Sequence, residues 1–193
     1  MSTLFTQAIQ AFDEYNANDP NHEIVGEGTV AKELLYAQRM TQKLMTFAPE
    51  ASEALQLAVR CQHIGRWEIA RKDFPMDRVG YLQWRNKEKQ HHAEVVEEIL
   101  SHLEYPRTTI DRVKFLVQKK QMKHDEESQT LEDVVCLVFM EYYFEDFAKE
   151  HDEEKVLSIL QKTWKKMSEK GREAALQLSL SEYALALVNK ALS

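Results

Sequence analysis

Apolar residues recur every three to four positions along most of this chain, and no stretch alternates long enough to require a strand, so the pattern predicts helices. A first helix is expected over 3–17, with Leu4, Ile9, Phe12 and Tyr15 on one face, ending at "NANDP". Residues 18–28 read as a loop. Thr29 then offers a cap for a second helix in which Val30, Leu34, Ala37 and Leu44 keep helical spacing. Pro49 is suited to begin a third helix, over 49–65, stopped by Gly65. "RKDFPMDRVGY" reads as a connection, and a long helix follows from 77 or 80 to 103, before Pro106. Thr108 or Thr109 caps the next helix, to Lys120, and "KHDEESQT" forms a polar turn. "LEDVVCLVFMEYYFEDFAKE" is apolar nearly all round and belongs at the centre. Two further helices, 152–169 and 171–191, part near Gly171. The expected fold is all-α: one domain over 1–193, a bundle of about seven or eight helices.

Composition supports this reading. Five glycines and four prolines in 193 residues leave little to punctuate strands. No apolar run is long enough for a membrane span, and the N-terminus lacks the pattern of a secretory signal. Cys61 and Cys136, both in apolar helical settings, read as reduced buried thiols of a cytoplasmic protein. The net charge of −7 argues against nucleic acid as the partner. Yet Arg60–His92 carries a balance of +4, and six of nine arginines fall between Arg39 and Arg85. Such a basic island in an acidic chain suits a small anionic ligand, because the guanidinium fork grips carboxylates and phosphates.

The chemistry-bearing residues cluster around this island. Glu33 shares a face with Tyr36 and Met40, an inward position that a carboxylate occupies when paired or ligating. Gln62, His63, Arg66 and Trp67 form a polar and aromatic group that fits either a hydrogen-bonded corner or a pocket wall. His92 falls on an inward stripe of the long helix with Trp84, Glu88 and Val95, with His91 at its edge; which of the two faces inward stays open. Asp133 opens a buried stripe with Leu137, Met140 and Phe144, although an acidic pair Glu132–Asp133 at a helix start also suits the helix dipole. Phosphate-binding glycine loops, nucleophile elbows and Cys-x-x-Cys pairs are absent.

Through "QHIGRWEIAR", "GYLQWR", "HHAE", "QTLEDVVCLVF" and "KTWKKMS" the chain resembles, over about 5–190, an uncharacterised family of soluble bacterial and fungal proteins known only as a domain of unknown function. More distantly, the order of features is similar to that of HD-domain metal-dependent phosphohydrolases, with "QHIG" where that superfamily has "HDIG". That resemblance implies an all-α scaffold and a metal set of Glu33, His63, His92 and Asp133, suited to Mn²⁺, Fe²⁺, Ni²⁺ or Zn²⁺. It departs from the superfamily at Gln62 and His63, where the ligand histidine and aspartate would stand, and at Glu33, where the early histidine would. The metal-bound water would attack phosphorus. Arg66, Arg71 and Arg85 would hold the phosphate, and Glu68 or Glu33 would accept a proton. Gln62, Trp67, Tyr36 and Arg39 complete the expected substrate contacts. The expected function is metal-dependent hydrolysis of a small phosphorylated substrate, a nucleotide being the natural choice; the alternative is a metal-free module binding an anionic small molecule.

Overall fold

The computed structural model describes residues 3–121 and 124–193; Lys123, the first residue of the expected polar turn, lies outside them. The described residues form α1 (Thr3–Asn16), β1 (His22–Val25), β2 (Gly28–Ala31), α2 (Lys32–Phe47), α3 (Glu53–Arg60), α4 (Arg78–His102) and α5 (Arg107–Val117). They continue with α6 (Glu126–Val138), α7 (Phe144–Lys149), α8 (Glu153–Lys166), α9 (Glu169–Leu176) and α10 (Glu182–Leu192). The fold is predominantly all-α, and the ten α-helices among the described residues exceed the expected number because two predicted helices are interrupted. The last predicted helix splits into α9 and α10, and Ser181 caps the second piece by accepting the Ala184 amide. None of the described helices is long and apolar enough to cross a membrane.

Capping chemistry sets several boundaries. Ser52, not Pro49, caps α3, accepting the Leu55 amide at 3.1 Å. Asp77 starts α4 through the Gly80 amide at 2.7 Å. The start of α2 differs from expectation: Thr29 belongs to β2, and Asp19 of the preceding loop accepts the Glu33 amide at 3.0 Å. The hairpin β1–β2 occupies what reads in sequence as loop. It is antiparallel, pairing Val25 with Gly28, and Gly26 takes φ +60° at the first of two loop positions, as a type II′ turn requires.

At the centre, α6 packs against α2, α3, α5, α8 and α9. Its Leu131, Val134, Leu137 and Val138, together with Phe144, join Phe12, Met40, Leu44, Leu57, Leu100 and Leu116 in one continuous core. Cys61 and Cys136 are both buried and unbridged. Between α6 and α7 the backbone widens into a π-helical turn at Phe139–Tyr143. That insertion changes the rotation of the long apolar helix midway along it.

The connection from α3 to α4 is fixed by close backbone approach. Arg71 donates to the carbonyls of Phe74 (3.1 Å) and Asp77 (3.3 Å), and the Trp84 indole donates to the Ile69 carbonyl at 2.9 Å. A Cβ on Gly80 would lie 2.0 Å from the Pro75 carbonyl oxygen. Gly80→Ala is therefore expected to cost about 2 kcal/mol, the scale of an overpacked contact, measured by urea unfolding. Unchanged stability would mean that this connection yields freely.

Candidate functional site

Six segments meet around a cavity of about 410 Å³, within the range of small-molecule pockets. The first turn of α2 supplies Lys32, Glu33 and Tyr36. The turn after α3 supplies His63 and Arg66, which Gly65 aims inward from a left-handed conformation at φ +67°. From α4 come Tyr81 and Arg85, one turn apart, and from beyond α5 comes Lys119. The central helix contributes Glu132, Val135 and Cys136, then Phe139 and Tyr143 from its π-helical turn. Ile159, Thr163 and Lys166 of α8 close the last side.

Arg66 organises one end. Its Nη1 donates to His63 Nε2 at 3.1 Å and lies 3.6 Å from Glu88 Oε2, while its Nε is 3.9 Å from Glu33 Oε1. The guanidinium also sits over the Trp84 ring, 5.1 Å from its centroid. Since His63 Nε2 accepts, its proton belongs on Nδ1, which faces Glu33 Oε2 at 3.4 Å. Tyr36 stacks on the same imidazole at 4.3 Å and tilts against Tyr143 at 6.0 Å.

Burial dominates the electrostatics here. It pushes the Glu33 carboxyl up to about 7, against the opposing charge of Arg66. Burial likewise raises the Glu88 carboxyl, which is 1% exposed and whose two oxygens accept no hydrogen bond among the described residues. His63 is held neutral by burial and by the charge of Arg66. His92 is lowered to about 3 by burial, although its Nδ1 donates to the Ile64 carbonyl at 2.7 Å.

Of the expected site residues, Glu33, Tyr36, His63, Arg66 and Arg85 line this cavity. His92 stands behind His63, ring centroids 6.1 Å apart, and is the inward histidine of the pair. His91 instead lies 3.1 Å from Glu68. The remaining positions need correction. Asp133 faces away from the cavity, accepting from the Ser168 backbone (2.8 Å) and hydroxyl (2.5 Å) at the start of α9. Its neighbour Glu132 takes the cavity side, a 100° difference on a helix. Glu68 accepts from the Tyr15 hydroxyl at 2.7 Å outside the cavity, and Trp67 packs against Tyr15. Gln62 is buried and does not line the cavity. Arg71 is spent on the loop carbonyls described above. Arg39 pairs with Glu23 at 2.8 Å and donates to the Tyr143 hydroxyl at 2.9 Å, so it positions a lining residue without lining the cavity itself.

The metal set implied by the HD resemblance is therefore not gathered at one point. Glu33, His63, Glu88 and His92 do approach one another, but the Arg66 guanidinium stands among them as their shared cation. Among the described residues no group of three or more His, Cys, Asp and Glu side chains is placed to hold a metal ion.

Several cavity residues carried no clear sequence signal: Lys32, Lys119, Phe139, Tyr143 and Lys166. Lys166 falls within the quoted "KTWKKMS", and Glu88 precedes His92 by one turn on the inward stripe. Lys119 Nζ and Lys166 Nζ reach Glu132 at 2.7 and 3.4 Å. Burial opposes ionisation of Glu132, but the two lysines overcome it and hold its carboxyl below the usual range. No curated protein and no solved structure matches the chain. Residues 6–188, nearly its whole length, match the domain of unknown function DUF4202, and the chain belongs to that family.

Proposed function

We propose that the cavity is a receptor for a small phosphorylated molecule, with a nucleotide as the ligand class that suits it best. The observation that carries this is its charge. Lys32, Arg66, Arg85, Lys119 and Lys166 line it against the carboxyls of Glu33 and Glu132 alone, and Glu33 is itself protonated in part near neutral pH. Arg85 makes no ion pair or hydrogen bond within the described residues, so its guanidinium is free for a ligand. Tyr36, Tyr81, Phe139 and Tyr143 supply aromatic surface for a base or sugar.

The test is thermal unfolding in the presence of nucleotides and sugar phosphates, with adenosine and glucose as uncharged counterparts, at matched ionic strength. Phosphorylated compounds are expected to raise Tm in proportion to their saturation while the uncharged ones do not. Arg85→Met, which orphans no partner, is expected to abolish the shift. Equal responses to charged and uncharged compounds would contradict the proposal.

One observation favours a second, catalytic reading. Glu33 has an oxygen without a hydrogen-bond partner among the described residues and a carboxyl poised near neutrality beside a neutral imidazole. This suits a group that takes a proton from water as the water oxygen bonds to phosphorus and passes it to the ester oxygen as that P–O bond breaks. Phosphate release that falls by about 100-fold or more in Glu33→Gln would support hydrolysis. Its absence across the phosphorylated panel would leave binding as the activity.

A further inference from the structure

The cations of the cavity are not spread evenly, and their grouping bears on how many charges the ligand carries. Lys89, which does not itself line the cavity, follows the lining Arg85 by one turn on α4, a spacing at which like charges repel. Lys119 approaches from beyond α5 and Lys166 from the end of α8, both onto Glu132. Glu132 is 3% exposed and Lys119 nearly as buried, so that pair is buried, whereas Lys166 is half-exposed. Burial lowers the proton affinity of Lys89, and the charges of Arg85, Lys119 and Lys166 add to that effect while Glu132 opposes it. Over the whole lining, five cations face two carboxylates, an excess of three.

Such an excess of like charge lining a cavity is what an anionic ligand compensates. Orthophosphate esters carry two negative charges at most, fewer than the excess here, whereas a phosphoanhydride chain carries three or more. Arg66, at the Glu33 end, leaves a separate contact for the rest of the molecule.

We propose that Arg85, Lys119 and Lys166, with Lys89 beside Arg85, form a subsite for a diphosphate or longer phosphoanhydride group. This rests on the reading of the cavity as a receptor for a phosphorylated molecule, and it narrows the ligand to compounds bearing such a chain. The chain can be free pyrophosphate or part of a nucleoside diphosphate, and the experiment separates the two.

Binding of AMP, ADP, orthophosphate and pyrophosphate is measured by isothermal titration at matched ionic strength. ADP is expected to bind at least about tenfold more tightly than AMP, the scale of one added charge-assisted hydrogen bond, and pyrophosphate more tightly than orthophosphate by a similar factor. ADP exceeding pyrophosphate assigns the ligand as a nucleotide, and the reverse assigns free pyrophosphate; both sustain the subsite. Lys166→Met removes a half-exposed ammonium, and the double variant Lys119→Met/Glu132→Gln removes a buried pair without orphaning a charge. Each is expected to bring the ADP-to-AMP ratio below about three. Equal affinity for AMP and ADP in the unaltered protein, or a ratio unmoved in Lys166→Met, overturns the subsite while leaving the receptor reading intact. No binding by any of the four compounds overturns both.

Discussion

Arg66→Met is expected to lose about 3 kcal/mol of stability at pH 8 and under about 1 kcal/mol at pH 5, measured by urea unfolding at both pH values. The reason lies in what Arg66 serves. Glu88 is 1% exposed, and its nearest ion-pair partner is Arg66 Nη1 at 3.6 Å. Glu33 holds a second buried carboxyl toward the same guanidinium, and His63 Nε2 accepts a hydrogen bond from it. Methionine preserves much of the side-chain volume but leaves two carboxyls without their cation. At pH 8 these must remain ionised in a poorly hydrated site or take up protons at a cost. At pH 5 Glu33 is already largely protonated and burial favours the protonated form of Glu88 as well, so less charge remains to be stranded. An equal loss at both pH values would show that the packing of Arg66 on Trp84, not its charge, is what matters.

Glu33→Gln is expected to act in the opposite direction. The carboxyl rises from the ordinary 4.5 to about 7 on folding, so the folded protein holds the proton more tightly than the unfolded chain does. That contribution is complete below about pH 4.5 and is lost as pH rises through 7, amounting to about 3 kcal/mol once integrated. Glutamine has nearly the same shape and no titrating proton. The variant should therefore be more stable than the unaltered protein at pH 8, by up to about 3 kcal/mol, and similar to it at pH 5. The histidines shape the other limb. His92 is lowered to about 3 and His63 falls well below its ordinary value, so their contributions are present above pH 6.5 and are lost as pH falls. Stability of the unaltered protein should thus pass through a maximum near about pH 6, and Glu33→Gln should flatten only the alkaline side. A variant that keeps the alkaline decline would locate the titrating group elsewhere.

The helices were readable from sequence where periodicity and caps agree, as in α1 and α4, whose bounds lie close to those expected. The hairpin was not, because its strands are largely exposed on both faces and carry no alternation; Ile24 is among the most exposed apolar residues. The long apolar run after Thr130 does hold the centre, but nothing in its composition announces the π-helical turn that swings Phe139 and Tyr143 to the cavity.

The site divides along the same physical line. Glu33 and Tyr36 share a face because the helix that carries them is regular, and the arginine island led directly to Arg66 and Arg85. Trp67 and Glu68 missed the cavity because the chain there forms a short 3₁₀ turn at Arg66–Glu68, in which α-helical phase no longer applies. The choice between Glu132 and Asp133 rests on one residue of helical rotation. Lys119 and Lys166 come from segments distant in sequence, and no local spacing connects them to each other or to Arg85.

The central claim is that this cation-lined cavity takes up a small phosphorylated molecule. Its most direct test is an isothermal titration of the unaltered protein with the phosphorylated compound that gives the largest thermal shift. One site per chain is expected, weakened at least about tenfold by Arg85→Met. A flat isotherm, or one that Arg85→Met leaves unchanged, would contradict the account.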